Sequence, residues 1–202
     1  LTSVAKGADI FYSLDTCQNK HFVPYTQSIV IDRPTTLTAY AEREGNRVSP
    51  IFTASYFPNK ATGKPYTIEN LNPQYTGSTK NALTDALVGS QKSYDYCVIV
   101  DLQTEQEISE ISINFLENVG SWIFLPLSVE FSTGLQQDML EPIEATNVTI
   151  SQNGQIQNHH AKFPKRKARF VKIFAKSIKQ CPANHPGAGY PAHVFGDEVI
   201  VN

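Results

Sequence analysis

Ile111-Ser112-Ile113-Asn114-Phe115 alternates apolar and polar side chains at every step. A period of two puts Ile111, Ile113 and Phe115 on one face of an extended strand, the pattern of a half-buried sheet rather than a helix. The same parity recurs in Ile10, Tyr12 and Leu14, in Leu37, Ala39 and Ala41, in Leu127, Val129 and Phe131, and in Val171, Ile173 and Ala175. Turn-forming residues separate the runs at Asp32–Pro34, Gly45–Asn46, Thr133–Gly134 and Asn153–Gly154. Many short strands with no helices to cross over between them predict an all-β protein made of antiparallel sandwiches.

The composition fits that class and removes others. Of 202 residues, 41% are hydrophobic and 18% charged, which is a globular balance. A net charge of −2 supplies no electrostatic drive toward nucleic acid or an anionic membrane. Runs such as Ile29–Ile31 and Val98–Val100 are strand-sized, far below the roughly 20 apolar residues of a membrane span. The chain opens at Leu1 without a charged segment ahead of an apolar one, and reads as a monomeric piece of a longer polypeptide. Cys17, Cys97 and Cys181 are far apart and form no Cys-x-x-Cys pair, so zinc and dithiol chemistry lack their signature. The expectation is reduced, mostly buried thiols, with a single disulfide left open.

A boundary falls near Phe57–Lys64, where Phe57-Pro58-Asn59-Lys60 and Thr62-Gly63-Lys64-Pro65 lead into an Asn/Pro/Tyr-rich stretch ending at Gly77. This divides the chain into residues 1–57 and 58–202. In the first part, Ile10-Phe11-Tyr12-Ser13-Leu14-Asp15, Tyr25–Ile29 and Thr35-Thr36-Leu37-Thr38-Ala39-Tyr40-Ala41 succeed one another. That order resembles the fibronectin-like C-terminal module of chitobiases and related hexosaminidases, and implies a small immunoglobulin-like sandwich. Thr16-Cys17 departs from the glycine turn usual there.

Four segments of the second part resemble, in order, the factor V/VIII type C (discoidin-like, galactose-binding-like) family: Asn81–Asp85, Val98-Ile99-Val100-Asp101-Leu102, Ala168-Arg169-Phe170-Val171-Lys172-Ile173 and Phe195-Gly196-Asp197-Glu198-Val199. The resemblance implies a jelly-roll β-sandwich. The segments Cys181–Gly189 and Trp122-Ile123-Phe124-Leu125-Pro126 resemble the version of this domain appended to family-twenty β-N-acetylhexosaminidases of gut bacteria. It implies an accessory region attached to a catalytic domain, periplasmic, on the outer surface or secreted. It further implies glycan partners ending in galactose or N-acetylhexosamine.

Nothing in the chain supplies catalysis of its own. A glycosidase needs two converging carboxyls. Asp197 and Glu198 are adjacent on a strand and point to opposite faces, while Glu141 and Glu144 form the other near pair. No Gly-x-Ser-x-Gly, Gly-rich phosphate loop or His-Glu-x-x-His is present.

The family resemblance implies one structural Ca²⁺, an ion that takes roughly six to eight oxygens, many of them carbonyls. By position, Asp85 and Glu198 supply carboxylates, Ser90 a hydroxyl or carbonyl, and Ala82, Leu87 and Asp197 carbonyls. Alternatively, Asp85 caps its own turn and Glu198 pairs with a lysine. Ala86 stands where the family carries a glycine that often takes positive φ.

A sugar site needs an aromatic face and a few polar groups. The candidates are Trp122 and Tyr190 for stacking, and Asn184, His185 and His193 for hydrogen bonding. Against this, Trp122 reads more readily as a core or loop anchor, and His193 stands where relatives carry a packing Trp, so a structural role is as open to it as a ligand role. Between Ser90 and Val98 only Gln91–Cys97 replaces a longer loop of the relatives, which shortens one wall of the pocket. His159-His160 reads as a solvated hairpin loop, and Lys165-Arg166-Lys167 as a basic edge preceding a strand. Two other roles stay open: a structural spacer packing on a catalytic barrel, and a cell-surface adhesion module.

Overall fold

A computed structural model describes residues 1–14, 21–71, 81–86, 91–143, 148–152 and 156–202. The chain divides into two compact units, Leu1–Pro58 and Asn59–Asn202. Both are all-β; among the described residues the helical content is one 3-10 turn, Val119–Ser121.

The first unit is a five-stranded sheet of β1 (Asp9–Ser13), β2 (Val23–Pro24), β3 (Thr35–Arg43), β4 (Asn46–Arg47) and β5 (Phe52–Tyr56), with β3 at its centre. Leu37, Ala39 and Ala41 are buried on one face of β3, as their parity requires. Leu14 breaks the pattern of β1: the strand stops at Ser13 and Leu14 is exposed.

The second unit is one seven-stranded sheet: β6 (Tyr66–Leu71), β7 (Gln91–Leu116), β8 (Ser128–Gln136), β9 (Met139–Pro142), β10 (Val148–Gln152), β11 (Ile156–Lys176) and β12 (Val194–Val201). Its path runs β12-β7-β11-β8-β9, with β10 on β11 and β6 on β7. The strands pair antiparallel, as the alternation predicts: β11 runs against β7 and β8, and along β12 the partners in β7 descend as β12 ascends, from Val194 with Ser93 to Gly196 with Gln91 at one end of β7 and from Phe195 with Leu116 to Val201 with Ile111 at the other. Phe195 and Gly196 pair with both ends of β7, with Lys92 and Gln91 and with Leu116 and Phe115. The 26-residue strand β7 therefore curls until its two ends flank β12. Gln103 provides a bend, at φ 70.

The bend explains two of the quoted segments. Asp101 accepts the Gln103 N–H (2.7 Å) and both Nε–H and Nη2–H of Arg169 (2.8 and 2.9 Å). Arg169 lies where the β7–β11 register shifts, between Ala168 and Phe170. Such bulges kink strands and increase twist, and here a bidentate ion pair ties the two kinked strands together.

Inside the curl, Tyr96, Val98, Val100, Ile111, Ile113, Phe115, Val171 and Ile173 form the core. Gly196 is required by close approach: a Cβ there would lie 2.4 Å from Cζ of the fully buried Tyr96. Leu127 is exposed because β8 begins one residue later.

Three local expectations are corrected. Gln91–Cys97 is not a shortened loop but the start of β7. His159 and His160 lie within β11, paired to Ile113 and Ser112 of β7; His159 is half-buried with its ring edge-on to Phe115, and burial pushes its imidazole down. Lys165 and Lys167 are also inside β11, where they pair across the strands with Glu107 (2.9 Å) and Glu105 (2.6 Å). The backbone stays extended here through its ladder with β7, Arg166 opposite Ile108 and Lys167 opposite Glu107.

Candidate functional site

The candidate site is built where two loops of the second unit meet. One is the 3-10 turn leading to Trp122; the other is the segment Cys181–Tyr190. Asn118 caps the turn with its side chain, and Trp122 ends it in the left-handed region (φ 64, ψ 23). A bulky residue in that conformation is an outlier that its surroundings must hold. The Trp122 N–H donates to Val119 O and the Ile123 N–H to Asn118 O. The Trp122 carbonyl accepts the His193 N–H (2.9 Å), and the His193 carbonyl accepts the Phe124 N–H (2.9 Å). His193, half-buried, thus joins the Trp122 segment to the strand entering β12 through its backbone.

The second loop closes on itself. Cys181 and Tyr190 are joined by a 2.8 Å backbone bond, and the Gly189 N–H donates to Cys181 O. Within it, successive turns connect Pro182 to His185, His185 to Ala188 and Gly187 to Tyr190. Gly189 takes φ +80, a conformation glycine adopts freely. Cys181 and Cys97 are free and buried; Cys17 lies outside the described residues.

The loops bring Trp122 and Tyr190 into a stack, ring centroids 5.5 Å apart and planes at 27°. Gly187 packs over the indole: a Cβ there would be 2.9, 3.0 and 3.2 Å from Cε2, Nε1 and Cζ2. Near-equal distances to three consecutive atoms place it above the ring rather than at its edge. Tyr190 remains 60% exposed and Trp122 36%, so Tyr190 carries the more open face. Asn184 is exposed in the same loop. His185 has both ring nitrogens engaged within the protein, with Val119 O (2.9 Å) and the Gly187 N–H (3.0 Å).

The acidic group lies at β12. Ala82 is buried, and the Leu83 carbonyl accepts the Val199 N–H (2.8 Å), which pins the Asn81–Ala86 segment to β12. Ala86 takes φ 60 despite its Cβ. Its N–H donates to Glu198 Oε1 (3.0 Å), while Oε2 is buried with no hydrogen-bond partner among the described residues. Burial pushes the Glu198 carboxyl up to about 8, and Asp85 and Asp197 add to this through their charge. Asp197 is buried too, and Asp85 half-buried. Among the described residues no group of three His, Cys, Asp or Glu side chains is arranged for a metal. The orphaned Oε2, repelled by neighbouring acids, is nevertheless a donor that suits a hard cation supplied mainly with carbonyl oxygens. Leu87 and Ser90 lie outside the described residues.

A groove of about 600 Å³ in the first unit is lined by apolar groups including Ile10, Tyr40, Ile51 and Phe52. It gathers no charged side chain.

No protein-family profile and no curated protein matches the sequence. Among solved structures, chitosan-binding module 1 of a chitosanase/glucanase from Paenibacillus sp. IK-5 is similar over 71% of this chain and 98% of its own, at 14% identity and TM-score 0.46. Module 2 of that enzyme, in complex with chitotriose, is similar over 71% and 98%, at 16% identity and TM-score 0.46. CpGH89CBM32-5 from Clostridium perfringens, in complex with GalNAc-beta-1,3-galactose, is similar over 73% and 99%, at 14% identity and TM-score 0.48. Similarity at this level assigns no function to the chain. No helix among the described residues is long and apolar enough to cross a membrane.

Proposed function

We propose that the second unit is a non-catalytic carbohydrate-binding module whose contact surface is the Trp122–Tyr190 platform. The observation that carries this reading is a stacked, solvent-open aromatic pair, held by two hydrogen-bonded loops on a rigid sheet. Loops on a rigid scaffold are where binding residues concentrate. A flat aromatic surface complements the C–H face of a pyranose ring, and Asn184, exposed alongside, supplies both donor and acceptor for hydroxyls. The platform is open on one side and buries little ligand, so a dissociation constant near 1 mM, about −4 kcal/mol, is expected.

Attachment to a β-N-acetylhexosaminidase, export from the cytoplasm and the fibronectin-like nature of the first unit rest on the sequence resemblances. In this reading a Ca²⁺ ion sits at Asp85 and Glu198, with carbonyls of Ala82 and Asp197, and staples the Asn81–Ala86 segment to β12. Its support is the buried, unpartnered Glu198 Oε2.

Titration with galactose, N-acetylgalactosamine and N-acetylglucosamine, followed by amide chemical shifts, tests the reading. Shifts centred on Trp122, Asn184 and Tyr190, abolished by Tyr190→Ala, are expected. Shifts elsewhere, or none with any sugar, overturn it. A structural spacer is the second reading, favoured by one observation: His185 spends both ring nitrogens inside the protein, which leaves few side-chain groups for a ligand.

A further inference from the structure

His185 makes two side-chain hydrogen bonds whose partners admit one protonation state. A backbone carbonyl can only accept, so Nε2, at 2.9 Å from Val119 O, carries the hydrogen. A backbone N–H can only donate, so Nδ1, at 3.0 Å from the Gly187 nitrogen, is bare. The neutral Nε2–H tautomer alone meets both conditions.

The two bonds converge on Trp122. Val119 O is also the acceptor of the Trp122 N–H that closes the 3-10 turn and holds the indole residue in its left-handed conformation. Gly187 is the buried residue lying over the indole. The imidazole thus grips the turn beneath Trp122 with one nitrogen and the backbone above its ring with the other. It is itself fixed by Phe124, edge-on at 5.5 Å, and by backbone bonds to Pro182 and Ala188.

We propose that His185 is the positioning residue of the aromatic platform: as the neutral Nε2–H tautomer it clamps the two loops together, and a second proton on the ring opens the clamp at Gly187. A proton added at Nδ1 sets two N–H groups against each other, so the Gly187 bond is lost while the Val119 bond survives. The loop over the indole then loses its anchor, and the Trp122–Tyr190 stack loosens. The charged and titratable side chains on the segments packed around the ring are Glu117 ahead of the turn, Lys179 and Tyr190 flanking the histidine's own loop, and His193 beside Phe124. No ion pair to His185 exists among the described residues.

Trp122 is the single tryptophan of the sequence, so its fluorescence reports the platform without a ligand. The test follows the full chain between about pH 8 and about pH 4.5, across which histidine side chains in general gain a proton. The wild type should show a one-proton change in Trp122 emission and iodide quenching. His185→Ala should show the acid-like emission at every pH. His185→Asn, whose Oδ1 can still accept the Gly187 N–H but never titrates, should show one emission at every pH, without the transition. Nitrogen NMR of the ring should find the Nε2–H tautomer at neutral pH.

A flat wild-type profile, a transition that persists in His185→Ala, or the Nδ1–H tautomer would overturn the proposal. Its consequence for ligand rests on the carbohydrate reading: N-acetylgalactosamine affinity should fall about tenfold on acidification in the wild type and not in His185→Asn. An emission transition without any sugar binding supports the clamp and removes the carbohydrate reading. Sugar binding with no emission transition does the reverse.

Discussion

Gly187→Ala isolates the packing that holds the platform. The φ of Gly187 lies outside the left-handed region, so alanine meets no backbone penalty there. Taken alone, the change would stabilise by about 0.4–1 kcal/mol through the unfolded chain. In the folded protein its methyl group would sit 2.9–3.2 Å from three atoms of the Trp122 ring. Those atoms belong to a rigid ring stacked on Tyr190, not to the free end of a flexible chain. Overpacking of this kind costs about 1–3 kcal/mol. The net expectation is a loss of about 1 kcal/mol, or roughly 2–4 °C in Tm for a unit of this size. In a Trp122→Ala background the clash is gone and the same substitution should stabilise by about 0.5 kcal/mol. A double-mutant cycle, read by circular dichroism in urea on the full chain, should therefore return a coupling of about 1–2 kcal/mol. Coupling below about 0.3 kcal/mol, or equal stabilisation in both backgrounds, would show that Gly187 does not bear on the indole.

The remaining expectations concern the acid group, the sheet and the absence of chemistry. Ca²⁺ at about 100 times its dissociation constant should stabilise the chain by about 2.7 kcal/mol, reversed by chelation and absent in Glu198→Gln; an unchanged melting temperature in all four conditions would remove the ion from the site. Asp101 is held below the usual carboxylate range by its hydrogen bonds to Arg169. Its folded value being depressed, its contribution is complete above the unfolded value and is lost as pH falls through the folded one, so Asp101→Asn should flatten the acid limb of the stability profile; identical limbs would refute this. Gly196→Ala should lower Tm more than Gly187→Ala, because Tyr96 is fully buried and cannot move aside; thermal melts of the two variants side by side decide it. The chain should not hydrolyse aryl N-acetylglucosaminides, and turnover abolished by mutating one of its carboxylates would contradict the non-catalytic reading.

Alternation alone carried the all-β class, because side-chain parity is a property of neighbouring residues. Leu37, Ala39 and Ala41, and likewise Ile111, Ile113 and Phe115, go to a buried face as their spacing requires. The pattern fails at strand ends, where Leu14 and Leu127 sit just beyond the last or first paired residue and turn to solvent. Pairing partners decide where a strand stops, and they lie far away in the chain.

For the same reason the length of β7 and β11 could not be read locally. From their residues Gln91–Cys97 reads as a loop, His159-His160 as a hairpin tip and Lys165–Lys167 as a flank, yet all three are strand. Each is held extended by a facing segment: β12 beside Gln91 and Lys92, Ile113 and Ser112 opposite the histidines, Glu105 and Glu107 opposite the lysines. Local composition marks these stretches as polar, and polarity does not distinguish a solvated loop from the outer face of a sheet.

The residue types of the candidate site stood out from the sequence; their working relations did not. Trp122 and Tyr190 stand out as aromatics in loops, but their stack brings together closures at Val119–Trp122 and Cys181–Tyr190 that lie far apart in the chain. His185 looked like any exposed imidazole until Val119 and Gly187 occupied its two nitrogens. Glu198 became a carboxyl raised to about 8 once the fold buried it beside Asp85 and Asp197. The order of residues settles which groups exist and which face of a strand each takes, since that follows from backbone geometry. Which groups meet, and with what charge and exposure, is settled by contacts across the curled sheet, because desolvation and hydrogen bonding depend on neighbours in space.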